Sequence, residues 1–461
     1  MRIAVLLSLL TFAFLAEAQK NQLSEVKYRR SSLHRLVVEG VNFPESDLIM
    51  NASKFAPFPD KYNDHTLEGY DIIELDSATA AQVAADSSNL KVNGEDVGLM
   101  QIGKLFKSKV QGKKTDALVQ ERIDAYLEEN KIARKLVAKW FQRDPSTGVF
   151  KMDLIGERGF YNATEMEAQI AAGSARGTAS LADAGEELIR NTFLVVTTMD
   201  FIDNEPLALA TRDVANAIID QFGDGPAKTV AQGAVEVGYN IMKEGYTVFT
   251  KAYLYRLNWN DSVAAVFYND LWVNPSSPDP SRKLAFEETD LFSLDFVGSS
   301  SANNIVTAIG GLSVGKEEVD STAVAAEITG EIPDSDLSFD QLLLKKATIR
   351  NIDKVFAKLQ KDYESFQIKV PLTSVEPLAA KIGMKEGLEG GERFAVLEQY
   401  IDENGITQYK SKAVIKVDKK TIWDNRFTAS GEETIAGPYD YTEFKGKAKG
   451  LYPGMLIRQI K

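Results

Sequence analysis

The chain has 461 residues, no cysteine and two histidines, and 66 acidic residues against 53 basic ones give a net charge of −13. The missing thiols exclude disulfides, thiolate nucleophiles, iron–sulfur centres and thiolate zinc sites. The acidic balance argues against nucleic acid or an anionic lipid surface as partner, because neither is drawn to a negative protein.

The chain opens MRIAVLLSLLTFAFLAEAQKNQ. Arg2 is a short positive region, Ile3 to Leu15 an apolar stretch, and Ala16-Glu17-Ala18 an A-x-A-type cleavage site. Together they predict a signal peptide over 1–18, with Gln19 starting the mature chain. No later stretch reaches the roughly eighteen apolar residues of a spanning helix, so none is expected in the mature chain, and peripheral membrane association stays open. An exported chain without disulfides points to a bacterial periplasm, outer membrane or cell surface.

Residues 19–114 read as a mixed N-terminal region. SSLHRLVVEG predicts a short strand, NFPESD a turn, and DSATAAQVAAD (76–86) a helix of small residues. The basic cluster KLFKSKVQGKK (104–114) reads as a solvated loop before a helix. From Thr115 on, Val119, Ile123, Tyr126, Leu127, Leu136, Val137, Trp140 and Phe141 recur at three- and four-residue steps. That predicts one amphipathic helix, or two in tandem, ending near RDPSTG. VFKMDLI (149–155) predicts a strand. Asn162 or Thr164, then Ser180 or Asp183, are suited to cap two helices. TFLVVTTMDFI is a continuous apolar run with β-branched residues, the pattern of a strand buried on both faces. YTVFTKAYLYRLNW and DSVAAVFYNDLWV, joined through NWNDS, predict a hairpin. Residues 115–273 therefore read as an α/β core.

NPSSPDPSRK opens a linker and irregular acidic insertion over 274–336. Residues 337–385 supply a helix and a strand that complete the core. Ser338 and Gln341 predict a capping box, and Leu342, Ile349, Ile352, Phe356, Leu359 and Tyr363 keep helical spacing. Phe366, Ile368 and Val370 alternate as a strand that Pro371 stops. Over 386–461, RFAVLEQYIDENGITQYKSKAVIKV predicts two strands around DENG, and KKTIWDN and GMLIRQIK predict more. The expected fold class is α+β, or an α/β core, followed by a small C-terminal β-barrel or sandwich.

Chemistry-bearing patterns are few. Gly310, Gly315 and Lys316 match G-x-x-x-x-G-K after the strand-like NIVTAI, but Glu317 and Glu318 replace the magnesium-binding Ser or Thr and would repel phosphate. A glycine-rich turn is expected instead. GSARG (173–177) lacks a dinucleotide fingerprint. Asp334, Asp336 and Asp340 follow an EF-hand count, yet Phe339 replaces the glycine and Lys345 the final glutamate, so they read as helix-start carboxylates. His34 and His65 are the candidates for histidine acid–base chemistry, and no G-x-S-x-G elbow accompanies them. No cofactor or metal site is expected, and the sequence designates no catalytic residue. Ser77, Ser262 and Ser321 fit a D-[ST]-[small or aliphatic] pattern for O-glycosylation, and Asn51, Asn162 and Asn260 are N-x-[ST] sequons.

KLVAKWFQRD…FKMDLIGERGFYNATEMEAQIAAGSARGTASLADAGEELIRNTFLVV and KTIWDNR…GLYPGMLIRQIK resemble exported cell-envelope proteins of Bacteroidota, over most of the mature chain. The resemblance implies an envelope location and no particular activity. The order helix, buried strand, long hairpin is also similar to curli-transport and TolB-amino-terminal envelope domains, an architectural likeness that carries no function.

The function expected is that of an exported, non-catalytic envelope protein, a binding or assembly partner in the periplasm or at the outer membrane. Its partner would be an envelope protein or a glycan. Tyr253, Tyr255, Trp259, Phe267 and Trp272 would form its contact patch if exposed, although alternating strand aromatics ordinarily pack inward. The alternative is a carboxylate-dependent glycan hydrolase or a glycan-binding surface protein. A groove with two carboxylates about 5–10 Å apart beside aromatic platforms would favour the hydrolase.

Overall fold

The computed structural model of the chain describes residues 31–40, 43–59, 61–67, 72–73, 113–151, 187–221, 224–307, 332–401, 407–426 and 439–460. The signal segment, the 76–86 helix, the caps at Asn162, Thr164, Ser180 and Asp183, GSARG, the Gly310–Lys316 loop, Ser77 and Ser321 lie outside these residues. In chain order the first domain contains β1 (Ser32–Val38), α1 (Ser46–Lys54), β2 (Asn63–Asp64), β3 (Ile72–Ile73), α2 (Lys113–Glu129), α3 (Ile132–Trp140) and β4 (Thr192–Asp203). It continues with α4 (Asn204–Ile219), α5 (Pro226–Met242), β5 (Gly245–Leu257), α6 (Asp261–Val266), α7 (Pro280–Glu288), β6 (Leu294–Thr307) and α8 (Phe339–Asp362). The second contains β7 (Lys369–Val375), β8 (Leu378–Ala380), β9 (Arg393–Ile401), β10 (Thr407–Val417), β11 (Thr442–Lys445) and β12 (Leu456–Ile460).

The first domain is built on a mixed sheet ordered β2–β1–β4–β5–β6, with β3 also paired to β1. β1 runs parallel to β4, while β4, β5 and β6 are antiparallel neighbours. The apolar run of β4 sits mid-sheet, and its period-two alternation feeds two cores. Leu194 and Val196 join Leu36, Val38, Tyr253 and Tyr255 under α2 and α3. Phe193 and Val195 join Leu33, Ala252 and Leu254 under Val355, Phe356 and Leu359 of α8. The result is a helix–sheet–helix sandwich, the expected α/β core. Beyond it, β7 to β12 form a closed six-stranded antiparallel barrel in the order β10–β11–β8–β7–β12–β9, filled by residues such as Val370, Leu372, Phe394, Ile415, Met455 and Ile457. Two of its strands, β7 and β8, precede residue 386. No helix among the described residues is long and apolar enough to cross a membrane.

Four local expectations are corrected. DSVAAVFYNDLWV is not the second arm of a hairpin. Asn260 Oδ1 accepts from the backbone N–H of Ser262 and Val263, starting α6, which runs into a π-helical turn over Phe267–Leu271. Val263, Phe267 and Leu271 then share one buried face at helical spacing. The strand that pairs with β5 is β6, inside the stretch expected to be irregular. NPSSPDPSRK is not all linker, since Asp279 caps α7 at Pro280. Residues 149–151 lie outside any strand; Phe150 donates its N–H to the Val273 carbonyl and its ring joins an aromatic cluster.

In the barrel, Pro371 does not end its strand. It lies inside β7 opposite Leu456, and the ladder to β8 begins only at Leu372, so its missing N–H breaks no bond there. Phe366 sits in a 3-10 turn before β7. KKTIWDN makes an isolated bridge from Trp423 to Gly383 in place of a strand, and β11, which the sequence did not reveal, completes the ring.

Candidate functional site

A concavity of about 560 Å³ lies where α8 meets the barrel. Its first wall is set by helix periodicity. Ser338 accepts from the Gln341 N–H and starts α8, and 24 residues follow without a break. Leu343, Leu344, Val355, Phe356 and Leu359 are drawn onto the sheet. Lys354, Lys358 and Lys361 lie four, eight and eleven residues after Arg350, so the four share one stripe of the helix. At 1.5 Å per residue the stripe is about 16 Å long.

Two of these lysines also bind the outer edge of β6. Lys354 Nζ donates to Asn303 O at 2.5 Å and Lys358 Nζ to Ser301 O at 2.8 Å. Tyr363 Oη donates to Ser299 O, and Ser300 Oγ donates to Asp362. Among the described strands β6 ends the sheet, and lysines along an edge strand oppose pairing with another chain. An ammonium has three donors, so both lysines retain hydrogen-bonding capacity toward the cleft.

The barrel supplies the second wall through the turn Met384–Glu386. Glu386 Oε2 accepts from the Gly383 N–H at 2.7 Å and from Asn425 Nδ2 at 2.9 Å, and Oε1 is 3.8 Å from Lys61 Nζ. Arg426 makes two hydrogen bonds to Asp424, at 2.8 and 2.6 Å. Lys385 Nζ reaches back to 3.5 Å from Asp353 Oδ1. Six cations thus surround the cleft: Arg350, Lys354, Lys358, Lys361, Lys385 and Arg426. Four carboxylates also line it, on Asp353, Asp362, Glu386 and Glu389. In a chain of net charge −13, this surplus of cations is a local reversal.

Asp353 is the unusual group. It is 8% exposed, and its Oδ2 has no hydrogen-bond partner among the described residues. Burial pushes its carboxyl up to about 6; Lys385 and Arg35 oppose that rise, and Glu386 adds to it. A buried carboxylate with an unused acceptor is unusual, because buried polar atoms are ordinarily hydrogen-bonded.

The other sequence-designated residues lie elsewhere. His34 and His65 are buried beneath α3, and neither lines the cleft between α8 and the barrel. His34 Nδ1 accepts from the Leu67 N–H at 3.3 Å, and Nε2 has no partner among the described residues. His65 Nε2 lies 3.0 Å from the Leu136 carbonyl, and its ring stacks on Trp140 at 4.9 Å. Burial first, then the charges of His65, Lys139 and Arg35, push the His34 imidazole down to about 3. Tyr253, Tyr255, Trp259 and Phe267 are buried, and Trp272 packs against the same aromatic cluster, so they form no exposed patch. Asp334 belongs to a 3-10 turn and pairs with Lys345 at 2.8 Å, and Asp340 lies in the first turn of α8. Among the described residues no group of three or more His, Asp or Glu is placed to hold a metal ion. Ser262 is exposed in the first turn of α6. The Asn260 side chain is committed to capping α6, and Asn51 Oδ1 accepts from the Ile332 N–H.

A smaller cavity of about 330 Å³ lies across β6 and is lined by Glu39, Asp116 and Asp200 together with Phe249 and Tyr253. Lys251 neutralises Asp116 at 2.6 Å. In the larger cleft no aromatic ring is among the described lining residues, and Glu386 is held by two donors and a lysine. Among the described residues the arrangement there is one of charge pairing and hydrogen bonding.

The sequence reading missed the cation row because it followed only the apolar positions of α8. The signal was present, as basic residues at i, i+4, i+8 and i+11 of one predicted helix. No protein-family model matches the chain, and no curated protein matches it at a significant level.

Proposed function

We propose that the protein is an exported, non-catalytic binding protein of the cell envelope, acting in the periplasm or at the outer membrane, and that it takes up an anionic partner in the cleft between α8 and the barrel. The observation that carries this reading is the row Arg350, Lys354, Lys358 and Lys361 facing Lys385 and Arg426 across about 560 Å³, on a chain otherwise strongly negative. With six cations against four carboxylates in the described lining, the cleft carries a local positive excess, which raises the concentration of an oppositely charged ligand there. The hydrolase reading has weaker support, because the described lining offers no aromatic platform beside its carboxylates.

The test is co-sedimentation of the full-length protein with envelopes of the cells that produce it. Wild type is expected to sediment with them at low salt and to be released as salt rises, because exposed charge pairs are screened. A Lys354→Glu, Lys358→Glu, Lys361→Glu triple variant is expected to lose binding by about tenfold or more, since like charges brought together cost several kcal/mol. A thermal melt checks that the variant remains folded. Salt-independent binding that the triple variant retains would remove the cleft from consideration.

A further inference from the structure

We infer that two copies of this chain associate through α5, laid antiparallel across a two-fold axis. The contact is separate from the proposed cleft, whose described lining includes no residue of α5. α4 and α5 form a helical hairpin set between β4 and β5. One face of α5 is used up by that hairpin. Lys228, Ala231, Val235, Tyr239 and Met242 are half-buried at helical spacing. Arg212 of α4 lies over the Tyr239 ring at 4.6 Å, and Lys228 pairs with Asp220 at 3.3 Å and Asp224 at 3.0 Å. The other face is apolar too, and it is bare. Ala227, Val230, Ala234 and Val237 follow at steps of three, four and three, and all four are exposed. Val230, at 73%, and Val237, at 60%, are the most exposed large apolar side chains among the described residues. A helix that is apolar on both faces is ordinarily covered on both.

Two glycines ask for the same cover. A glycine inside a helix costs stability relative to alanine. A Cβ added at Gly233 or Gly238 would meet nothing within 4 Å, so no described residue of the same copy uses the space they leave. Both flank the stripe and let a second backbone approach it closely. Self-complementarity selects a second copy as the occupant, because a two-fold contact presses one surface on itself. In an antiparallel pair, Ala227 faces Val237 of the second copy and Val230 faces its Ala234, so every layer holds one large and one small side chain. A parallel pair would stack valine on valine and alanine on alanine, alternating crowded layers with gaps. Charge agrees. The charged residues of α5 are Lys228 and Glu236, and both lie off the stripe. The stripe therefore brings no like charges together, although each copy carries a net charge of −13. It is about 15 Å long, a small contact, so association in the micromolar range is expected.

Sedimentation equilibrium of the full-length protein from about 1 to 500 µM tests this, a span that brackets micromolar association. A monomer–dimer equilibrium is expected. Val230→Glu with Val237→Glu should weaken it about tenfold or more, because carboxylates would be buried unpaired in apolar layers. The thermal midpoint of that variant at low concentration should stay near wild type, since both side chains are exposed in the monomer. Gly233→Ala with Gly238→Ala should raise the midpoint of the monomer and still weaken the dimer, opposite signs that a role in the monomer alone would not give. The cysteine-free chain permits a test of direction. Val230→Cys and Ala234→Cys chains, mixed and oxidised, should form a mixed disulfide, and neither should link to itself, because only the antiparallel pair brings those two positions together. A protein that stays monomeric throughout, or a dimer that the glutamates leave intact, overturns the contact. Self-linking by either cysteine variant overturns the antiparallel arrangement. None of these results touches the anion-binding role of the cleft, which stands or falls on the lysine variants.

Discussion

Phe267→Ala is expected to destabilise the protein by about 3–5 kcal/mol, the range for deleting a fully buried phenyl ring. Phe267 is completely buried and centres the aromatic cluster of the first domain. Its ring lies 5.0 Å from Phe141, 5.2 Å from Phe150, 5.5 Å from Trp259 and 5.9 Å from Phe292. These partners come from the end of α3, the segment after it, the end of β5 and the approach to β6. Removing the ring opens a void where four chain segments meet, and aromatic pairing is lost beyond the buried area. Denaturant unfolding followed by tryptophan fluorescence measures the change, since Trp259 and Trp272 both touch the site. The cluster shares no residue with the described lining of the cleft, so the folded variant should keep wild-type affinity for an anionic probe. A loss under about 1 kcal/mol would mean that the cluster is not packed as described.

The second large effect is a pair of opposed pH dependences. His34 has its imidazole depressed from 6.5 to about 3, so the unfolded chain binds a proton there more readily than the folded one. Its contribution to stability is complete above about pH 6.5 and is lost as pH falls toward 3, at about 1.4 kcal/mol per pH unit. The geometry gives the reason: Nδ1 already accepts from the Leu67 N–H, so a second ring proton would face a donor in a buried site. Asp353 runs the other way. Its carboxyl is raised from 3.8 to about 6, so the folded chain holds that proton more readily. That contribution is complete below about 3.8 and is lost as pH rises through 6.

Between about pH 3.8 and 6 the two slopes oppose each other in wild type. Asp353→Asn removes one slope, and its stability should rise with pH across the whole window from about 3 to 6.5. Near pH 7 it should exceed wild type by up to about 3 kcal/mol, the worth of a shift of roughly two pKa units. His34→Asn keeps an acceptor near the Nδ1 position and should leave only the falling Asp353 slope. Denaturant midpoints at half-unit pH steps for the three proteins decide this. Parallel profiles would show that neither group is perturbed as its surroundings require. A carboxylate that lowers stability at neutral pH, at the rim of a charged cleft, is also what a binding role would retain at the expense of stability.

Local sequence was enough to determine the elements that one segment specifies by itself. The β-branched apolar run at 192–202 became the mid-sheet strand β4. The capping box at Ser338 and the apolar spacing after it became α8, and the strand pair around DENG became β9 and β10. In each, propensity, pattern and burial agree. The DSVAAVFYNDLWV segment failed because its aromatics favour strands while its Asn-Asp-Ser start favours a helix. Only packing of Val263, Phe267 and Leu271 into one cluster settles that conflict. The end of β6 lay in the strand-like NIVTAI, but its first half escaped notice because short polar residues such as Ser299, Ser300 and Ser301 carry little strand propensity and pairing with β5 holds them in place, and β11 escaped notice entirely.

The site was less legible still. The basic stripe of α8 could be read as a solvated helix face until the barrel was placed opposite it. Lys385, Glu386 and Arg426 lie more than 20 residues beyond the helix end, and no local pattern relates them to Arg350 or Asp353. The sequence by itself determined composition, the absence of thiol chemistry, the α/β core and the β-rich C-terminal domain. The tertiary structure alone decided that the two histidines are buried, that the hairpin aromatics are core, and that six cations and one under-bonded carboxylate share a cleft. The physical reason is that charge pairing and desolvation depend on distances in space, which close only when segments far apart in the chain are packed together.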